Sequence, residues 1–485
     1  MYGRTQRIHF IGVGGVGMSG IAEVLLNMGY QISGSDLRGG EATERLIRLG
    51  GRIFIGHAAS NIEGAQVVVF STAVPSDNPE LAAARELGLP VIGRAEMLAE
   101  LMRMKYGVAV GGAHGKTTTT SMIAAVLARG GLDPTVVVGG RLRALGSNAR
   151  LGHGQFLVAE ADESDGSFLR LSPAVAVVTN IDREHLDHYG DLDAVLQAFV
   201  YFANRVPFYG VTVLCADDPQ VRRIVPRIVK RTLFYGTLPE TEVRGSEVRL
   251  KPHGARFLVH AFGREMGEIE IQVPGRHNVL NALAAVAVGL EVGVGFGHIG
   301  EALAGFHGVA RRFETRGEVG GVRVVDDYGH HPTEIRATLS AARGLGGRVL
   351  VVFQPHRFSR TASLREEFGA AWSDADRVWV LDIYAAGEPP LPGISGRTVV
   401  EAAAAAGARH LSFAASAAEA AAAAAAEARP GDVVLTLGAG DVGRICDRLL
   451  SGSAGAAEGR PAIAEADGKT SLARRAPRRP RSKSD

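Results

Sequence analysis

The stretch Gly111-Gly112-Ala113-His114-Gly115-Lys116-Thr117-Thr118-Thr119-Thr120 decides how the rest of the chain is read. An apolar run, Tyr106–Val110, precedes it, and a helix-forming segment, TTTTSMIAAVLA, follows. A strand, a glycine turn and a helix in that order form a phosphate-binding loop, where backbone N–H groups and the helix dipole meet anionic oxygens. Lys116 adds a mobile cation for the terminal phosphates of a nucleotide, and the Thr117 hydroxyl suits a Mg²⁺ ligand. Three residues separate Gly111 from Gly115, one fewer than in the common form of the loop.

Outward from this loop the chain restarts the same rhythm twice. Upstream, RIHFIGV (7–13) reads as a buried strand, and Gly12-x-Gly14-Gly15-x-Gly17 turns into a helix that begins with Met18 and Ser19. Asp36 ends the next strand, and VVVFSTAV (67–74), with Ser71 and Thr72, reads as another. A glycine turn of this kind accepts a pyrophosphate of some nucleotide, and the pattern by itself does not choose between NAD(P) and a sugar nucleotide. Downstream, strands are read at Val322–Asp326, 349–353, 378–383 and 433–440. The alanine-rich stretch 401–428 is expected to be helical. The fold class is therefore α/β, in three units: 1–103, 104–311 and 312–452, with a disordered basic tail over 453–485.

Acidic clusters follow two strands of the central unit: EADESD (160–165) and NIDREHLDHYG (180–190). Residues just past the carboxyl ends of parallel strands share one crevice with the phosphate loop, which makes Glu160 and His185 candidates to complete a metal site with Thr117. Asn278 and Asn281, three apart on one helix face, either read a purine edge or cap the helix. In the third unit, after Tyr328, the pair His330-His331 suggests a transition-metal site, but His356, Arg357 and Arg360 offer donors to phosphate or carboxylate oxygens, and one crevice for an anionic substrate explains more of these residues.

Composition bounds the function classes. The 485 residues are 46% hydrophobic and 21% charged, a globular balance. Net charge is +2, but residues 451–485 hold eight Arg/Lys and four Asp/Glu, leaving −2 for the remainder, which argues against a nucleic-acid-coating surface. Two cysteines, Cys215 and Cys446, suit a reducing cytoplasm and exclude a disulfide framework. The most apolar stretch, Ala282–Leu290, is too short for membrane insertion.

Taken together, IHFIGVGGVGMSGIAEVL, GAHGKTTTT, EADESD, TNIDREHLDHY, GRHNVLNALAA, GVARRFE, DDYGHHPTEI, QPHRFSRT and GAGDVG resemble the Mur ligases of bacterial cell-wall synthesis, in the family's order and over residues 7–443. GMSGIAEVL and DDYGHHPTEI look like the alanine-adding branch. The resemblance implies a Rossmann-like N-terminal domain for the UDP-sugar, a central P-loop ATPase domain and a Rossmann-like C-terminal ligase domain. It implies a cytoplasmic enzyme, monomer or weak homodimer, with ATP, UDP-N-acetylmuramate and L-alanine as small-molecule partners. The lactyl carboxylate would be phosphorylated by ATP and then attacked by the amine. By resemblance, Gly112, Ala113, His114, Gly115, Lys116, Thr117, Thr118, Asn278, Asn281 and Arg312 bind ATP. Thr117, Glu160 and His185 hold Mg²⁺, with Mn²⁺ able to substitute, and catalysis rests on Lys116, Glu160 and His185. Gly14, Gly15, Gly17, Met18, Ser19, Asp36, Ser71, Thr72, Tyr328, His356, Arg357 and Arg360 bind substrate, and His330 is a guess for the base. Glu184 stands where many relatives have aspartate, and no carbamylated lysine is expected, since only Lys230 and Lys251 lie between Lys116 and the third unit. Two rivals stay open: a ligase that attaches a whole peptide to the same sugar nucleotide, and an NAD(P)-dependent oxidoreductase.

Overall fold

In the computed structural model, which describes residues 6–71, 73–142 and 147–452, each of the three restarts opens a separate sheet. The first has five parallel strands in the order Arg52–Ile55, Gln31–Asp36, Arg7–Ile11, Val67–Phe70, Val91–Gly93. Successive strands fill outward from Arg7–Ile11 in both directions, so a crevice opens past its carboxyl end, where the first glycine turn lies. That turn leads into the helix Val16–Asn27, which buries Met18, Ile21, Val24 and Leu25 beneath the sheet.

The central sheet has ten strands, and Tyr106–Gly111 sits between Val175–Val178 and Phe156–Glu160, parallel to both. The phosphate loop therefore leaves the middle of the sheet, flanked by the two strands whose ends carry the acidic clusters. One edge was not anticipated from sequence: Val243–Lys251, Gly254–Ala261 and Arg264–Ile271 form an antiparallel meander. The helices Lys116–Arg129 and Arg276–Glu291 pack together over this sheet around a core that includes Val126, Val279, Leu283 and Val286.

The third sheet runs Glu314–Val319, Val322–Asp327, Val433–Leu437, Val349–Phe353, Arg377–Val380, Leu411–Phe413, with only the first strand antiparallel. Two cores cover its faces, one around Phe353, Phe368 and Trp372 and the other around Trp379, Leu381 and Ile445. The alanine-rich stretch is not one helix. Gly396–Ala405 ends before Gly407 at φ +89°, the edge strand Leu411–Phe413 intervenes, and a second helix runs Ala417–Glu427. A glycine in the left-handed region stops a helix, and pairing with Arg377–Val380 then overrides alanine's propensity. The tail at 453–485 lies outside the described residues. Among the described residues no helix is long and apolar enough to cross a membrane, and Cys215 and Cys446 are buried free thiols.

Candidate active site

Gly115 adopts φ +79° and caps the helix that starts at Lys116, which aims the loop's N–H groups into the central crevice. Gly112 sits at φ +138°, with Thr179 and Asn180 packed against its backbone. Two side chains fix the loop from the neighbouring strand: the Thr179 hydroxyl donates to the His114 carbonyl at 2.7 Å, and Asn180 Oδ1 accepts from the His114 N–H at 2.8 Å.

Lys116 Nζ donates to the carbonyls of Gly112 and Ala113 at 2.6 and 3.1 Å and to Glu163 Oε1 at 2.8 Å. Burial pulls the lysine's pKa down, but Glu163, Asp162 and Glu184 outweigh it and hold it above the ordinary value. His185, in the left-handed region at φ +56°, brings Nε2 within 3.5 Å of the same Glu163 oxygen. Glu163, Glu184 and His185 form one group whose ligand atoms lie within 4.8 Å of one another. Glu163 Oε2 and Glu184 Oε1 are buried without a hydrogen-bond partner. Two buried carboxylates with unsatisfied oxygens fit a hard divalent cation. Glu160, at the end of its strand, is outside that group, and Thr117 is buried in the first helical turn.

A second group, His114, Glu184 and His331, has similar spacing but different chemistry. Burial alone would lower the His114 pKa, yet the hydrogen bond to Asp182 and the nearby charge of Glu334 raise it to about 10. A proton held this firmly competes with a metal for the ring nitrogens. The ring acts instead as a clasp. His114 Nε2 meets Asp182 Oδ2 at 2.9 Å, the Thr333 hydroxyl donates to the same oxygen at 2.7 Å, and His114 Nδ1 lies 3.5 Å from Glu334. Thr333 and Glu334 begin the helix Pro332–Arg343 of the third sheet, so the phosphate loop is tied across the crevice to that unit.

Beside the clasp is a cavity of about 430 Å³, lined by His114, Gly115, Thr118, Asn278, Asn281 and Arg312 together with His277 and Tyr235. Six residues expected at one nucleotide site thus share one wall. Asn281 accepts from Thr119 and donates to Asn278 Oδ1, while Asn278 donates to the Pro274 carbonyl; neither side chain caps the helix, whose N-cap is Gly275, and both line the cavity. Arg312 lies 3.6 Å from Glu334 and stacks over Tyr328.

Across the crevice, Arg360 approaches Glu184 at 3.7 Å and meets His356 Nδ1 at 3.1 Å, and His356 lies against His330 and Tyr384. Arg357 and Arg360 line a smaller cavity of about 260 Å³ with Glu184, His185 and Asp187. Burial pushes His330 down to about 4, so at neutral pH it is uncharged but a weak base. A group that weak has little drive to take a proton from an ammonium whose pKa is about 8 or higher. His356 is likewise driven down to about 3 by burial, with His330 and Arg360 adding to it.

The first sheet carries a separate cavity of about 770 Å³, lined by Gly12, Gly14, Gly15, Asp36, Arg38, His57 and Ser71. Asp36 Oδ2 accepts from the Gly14 N–H at 2.8 Å and pins the glycine turn. Met18 and Ser19 are buried in the helix and do not line this cavity, and Gly17 packs against Arg94. Thr72 lies outside the described residues. Arg94 also pairs with Asp162 at 3.0 Å, which links this sheet to the central acidic cluster.

Sequence reasoning passed over Glu163, Asp182, Thr333 and Glu334. All four stand inside quoted motifs, but no periodicity tells which acid of EADESD or NIDREH turns inward.

Three family models match the chain: the Mur ligase family catalytic domain over 7–106, the Mur ligase middle domain over 110–289, and the Mur ligase glutamate ligase domain over 311–440. A UDP-N-acetylmuramate–L-alanine ligase of Geobacter sp. (strain M21) is 55% identical over 452 residues, covering 93% of this chain and 98% of its own length. A relative of the same description from Desulfatibacillum aliphaticivorans is 54% identical over 453 residues, covering 93% of this chain and 99% of its own length. Among solved structures, UDP-N-acetylmuramate–alanine ligase of Thermotoga maritima superposes with a TM-score of 0.77 at 30% identity, covering 92% of this chain and 99% of that one. A murein peptide ligase of Psychrobacter arcticus shares the fold, with a TM-score of 0.70 at 22% identity and coverage of 94% and 100%.

Proposed function

Because the chain belongs to the Mur ligase family, we propose that its crevice and two larger cavities hold the reactants of one ligation. The chain is an ATP-dependent ligase of peptidoglycan precursor synthesis that joins L-alanine to UDP-N-acetylmuramate. The observation that supports the placement is the convergence of Lys116, Glu163, Glu184, His185 and Arg360 on one crevice, with the nucleotide-sized cavity beside it. In this reading residues 1–103 bind the UDP-sugar, 104–311 bind ATP, and 312–452 complete the active site.

A carboxylate is a poor acyl donor, because its leaving group would be oxide. Transfer of the γ-phosphoryl group to the lactyl carboxylate makes an acyl phosphate. The alanine amine then attacks its carbonyl carbon, the C–O bond to phosphate breaks, and phosphate leaves with that oxygen. Such chemistry asks the protein mainly for positioning and charge stabilisation. Lys116 steadies the terminal phosphates, and the loop's N–H groups receive the rest of the triphosphate. Asn278, Asn281 and the wall containing His277 receive the base. Burial pulls His277 down to about 4, so it is neutral there. Arg357 and Arg360 face the anionic acyl group, and Tyr328 and His356 shape the amine's approach.

The cation would be Mg²⁺, replaceable by Mn²⁺, held by Thr117, Glu160 and His185 with Glu163 and Glu184 alongside. When bound, it neutralises charge on the phosphates. The enzyme works in the cytoplasm as a monomer or weak homodimer.

Phosphate release is measured with ATP and Mg²⁺, omitting UDP-N-acetylmuramate and L-alanine in turn. Turnover that needs both, with a product heavier by one alanine residue, supports the reading, whereas a demand for a peptide in place of alanine refutes it. With ¹⁸O in the lactyl carboxylate, one label must appear in the released phosphate. Unlabelled phosphate rules out the acyl phosphate.

A further inference from the structure

Beneath the 770 Å³ cavity lies a polar cluster that the reaction chemistry does not use. Glu80, in the first turn of the helix Pro79–Glu86, is fully buried. Its Oε2 accepts from the Ser35 hydroxyl at 2.5 Å and faces His57 Nδ1 at 3.1 Å, while Oε1 accepts from Asn61 at 2.6 Å. His9 Nε2, also buried, lies 3.8 Å from Oε2. Among the described residues no lysine or arginine pairs with this carboxylate. Burial pushes its pKa up, but His9, Ser35 and Asn61 together bring it down to about 2, so it is ionised.

An ionised carboxylate only accepts hydrogen bonds, and that fixes every partner. The single hydroxyl hydrogen of Ser35 goes to Glu80, so Ser35 Oγ, 3.0 Å from His57 Nδ1, is an acceptor towards the imidazole as well. Both neighbours of Nδ1 are therefore acceptors, and Nδ1 must carry the hydrogen. Nε2 is then the ring's remaining polar atom, and in the neutral ring it is an acceptor. His57 lines the cavity with Gly14, Asp36 and Ser71.

Packing does not explain the acid. An apolar side chain would fill the same volume, and replacing buried charge with well-packed apolar groups is often neutral or stabilising. Glu80 opens a helix, Ser35 lies in a strand and His57 follows the strand Arg52–Ile55, and an acceptor at this point orients the His57 ring, as it also holds Asn61.

We propose that Glu80 is a positioning residue that locks His57 in the Nδ1–H tautomer, so that Nε2 accepts a hydrogen bond from a donor of the bound nucleoside, the uracil imide N–H or a ribose hydroxyl. This rests on the assignment of the cavity to the UDP-sugar.

UDP binding to the full-length protein is measured by calorimetry for wild type, His57→Ala, Glu80→Gln, the double variant and Asp36→Ala, with KM for ATP measured alongside. His57→Ala and Glu80→Gln are each expected to weaken UDP about ten-fold, and the double variant no more than His57→Ala alone, with KM for ATP within two-fold throughout. Losses that add in the double variant mean that Glu80 acts on structure and not through His57, and overturn the proposal. Weakening by Asp36→Ala but not by His57→Ala overturns the proposal and leaves the cavity assignment standing. If neither variant weakens UDP, the cavity assignment itself falls, and the proposal with it. Should Glu80→Gln not fold, the ¹⁵N spectrum of histidine-labelled wild type decides, with His57 assigned by its loss in His57→Ala. A neutral ring protonated at Nδ1 alone supports the proposal, and an Nε2–H tautomer or an imidazolium, whose Nε2 is a donor, overturns it.

Discussion

Replacing Gly112 with alanine is expected to cost most of the ATP affinity, and the size of the loss follows from the loop's geometry. The residue sits at φ +138°, where L side chains are strained by about 1–3 kcal/mol. A Cβ there would lie 2.0 Å from Thr179 Oγ1 and 3.1–3.2 Å from the backbone O and N of Asn180. Thr179 cannot simply turn away, because its hydroxyl holds the His114 carbonyl at 2.7 Å. Overpacking of this kind adds about 1–3 kcal/mol. The loop can relieve the strain only by leaving the position in which its N–H groups converge, so the cost falls on nucleotide binding. Even the lower total, about 2 kcal/mol, corresponds to roughly thirty-fold in affinity. Equilibrium titration with a fluorescent ATP analogue measures it, with circular dichroism confirming the fold. Adding Thr179→Ala removes the shortest contact but neither the backbone strain nor the Asn180 contacts, so recovery should be partial. An affinity within two-fold of wild type in Gly112→Ala, with unchanged melting, would refute this reasoning.

Asp182→Asn should break the clasp between the phosphate loop and the third unit. Loss of a charge-assisted hydrogen bond is worth about 1.5–3 kcal/mol, so kcat/KM for ATP should fall about ten- to a hundred-fold, and an effect confined to KM for the sugar nucleotide counts against the clasp. Stability should peak near neutral pH. Burial holds His277 and His330 at about 4, so below about pH 6.5 the unfolded chain binds more protons and each site costs up to ~1.4 kcal/mol per pH unit. His114, raised to about 10, works in reverse: its contribution is complete below about pH 6.5 and is lost as pH climbs through 10. His114→Gln should therefore flatten the alkaline side of a melting-temperature profile, and an equally steep fall in the variant would sink the assignment. Chelation of divalent ions should abolish turnover and Mg²⁺ or Mn²⁺ restore it; full activity in excess chelator contradicts the role given to Glu163, Glu184 and His185.

The fold was legible because its signals are local. A strand, a glycine turn and an apolar helix follow one another within about twenty residues at Arg7–Asn27 and again at Tyr106–Arg129, and each such unit buries its own apolar face. Reading failed where a competing partner decided the outcome. Alanine propensity favours one helix across 401–428, but the edge of the third sheet recruits Leu411–Phe413. The meander at 243–271 has alternation that is weak in its first and last strands, and it became a sheet edge by pairing that no local pattern announces.

The site was legible only as far as motifs name residue types. The glycine turns, Lys116, Asn278 and Asn281 could be read because backbone geometry and spacing fix their direction. The acids could not. EADESD offers four carboxylates and NIDREH two, and each finds its partner across the crevice: Glu163 with Lys116 and His185, Asp182 with His114 and Thr333, Glu184 with Arg360. Four of these five partners precede or follow their acid by more than forty residues in sequence, and two of them, Thr333 and Arg360, belong to a different sheet. A carboxylate's role is set by which positive charge reaches it, which is a property of how three sheets meet. His114 shows the consequence most clearly. In the sequence it is one more residue of a phosphate loop; in the fold, Asp182 and Glu334 hold its proton and make it the contact through which that loop and the third unit restrain each other.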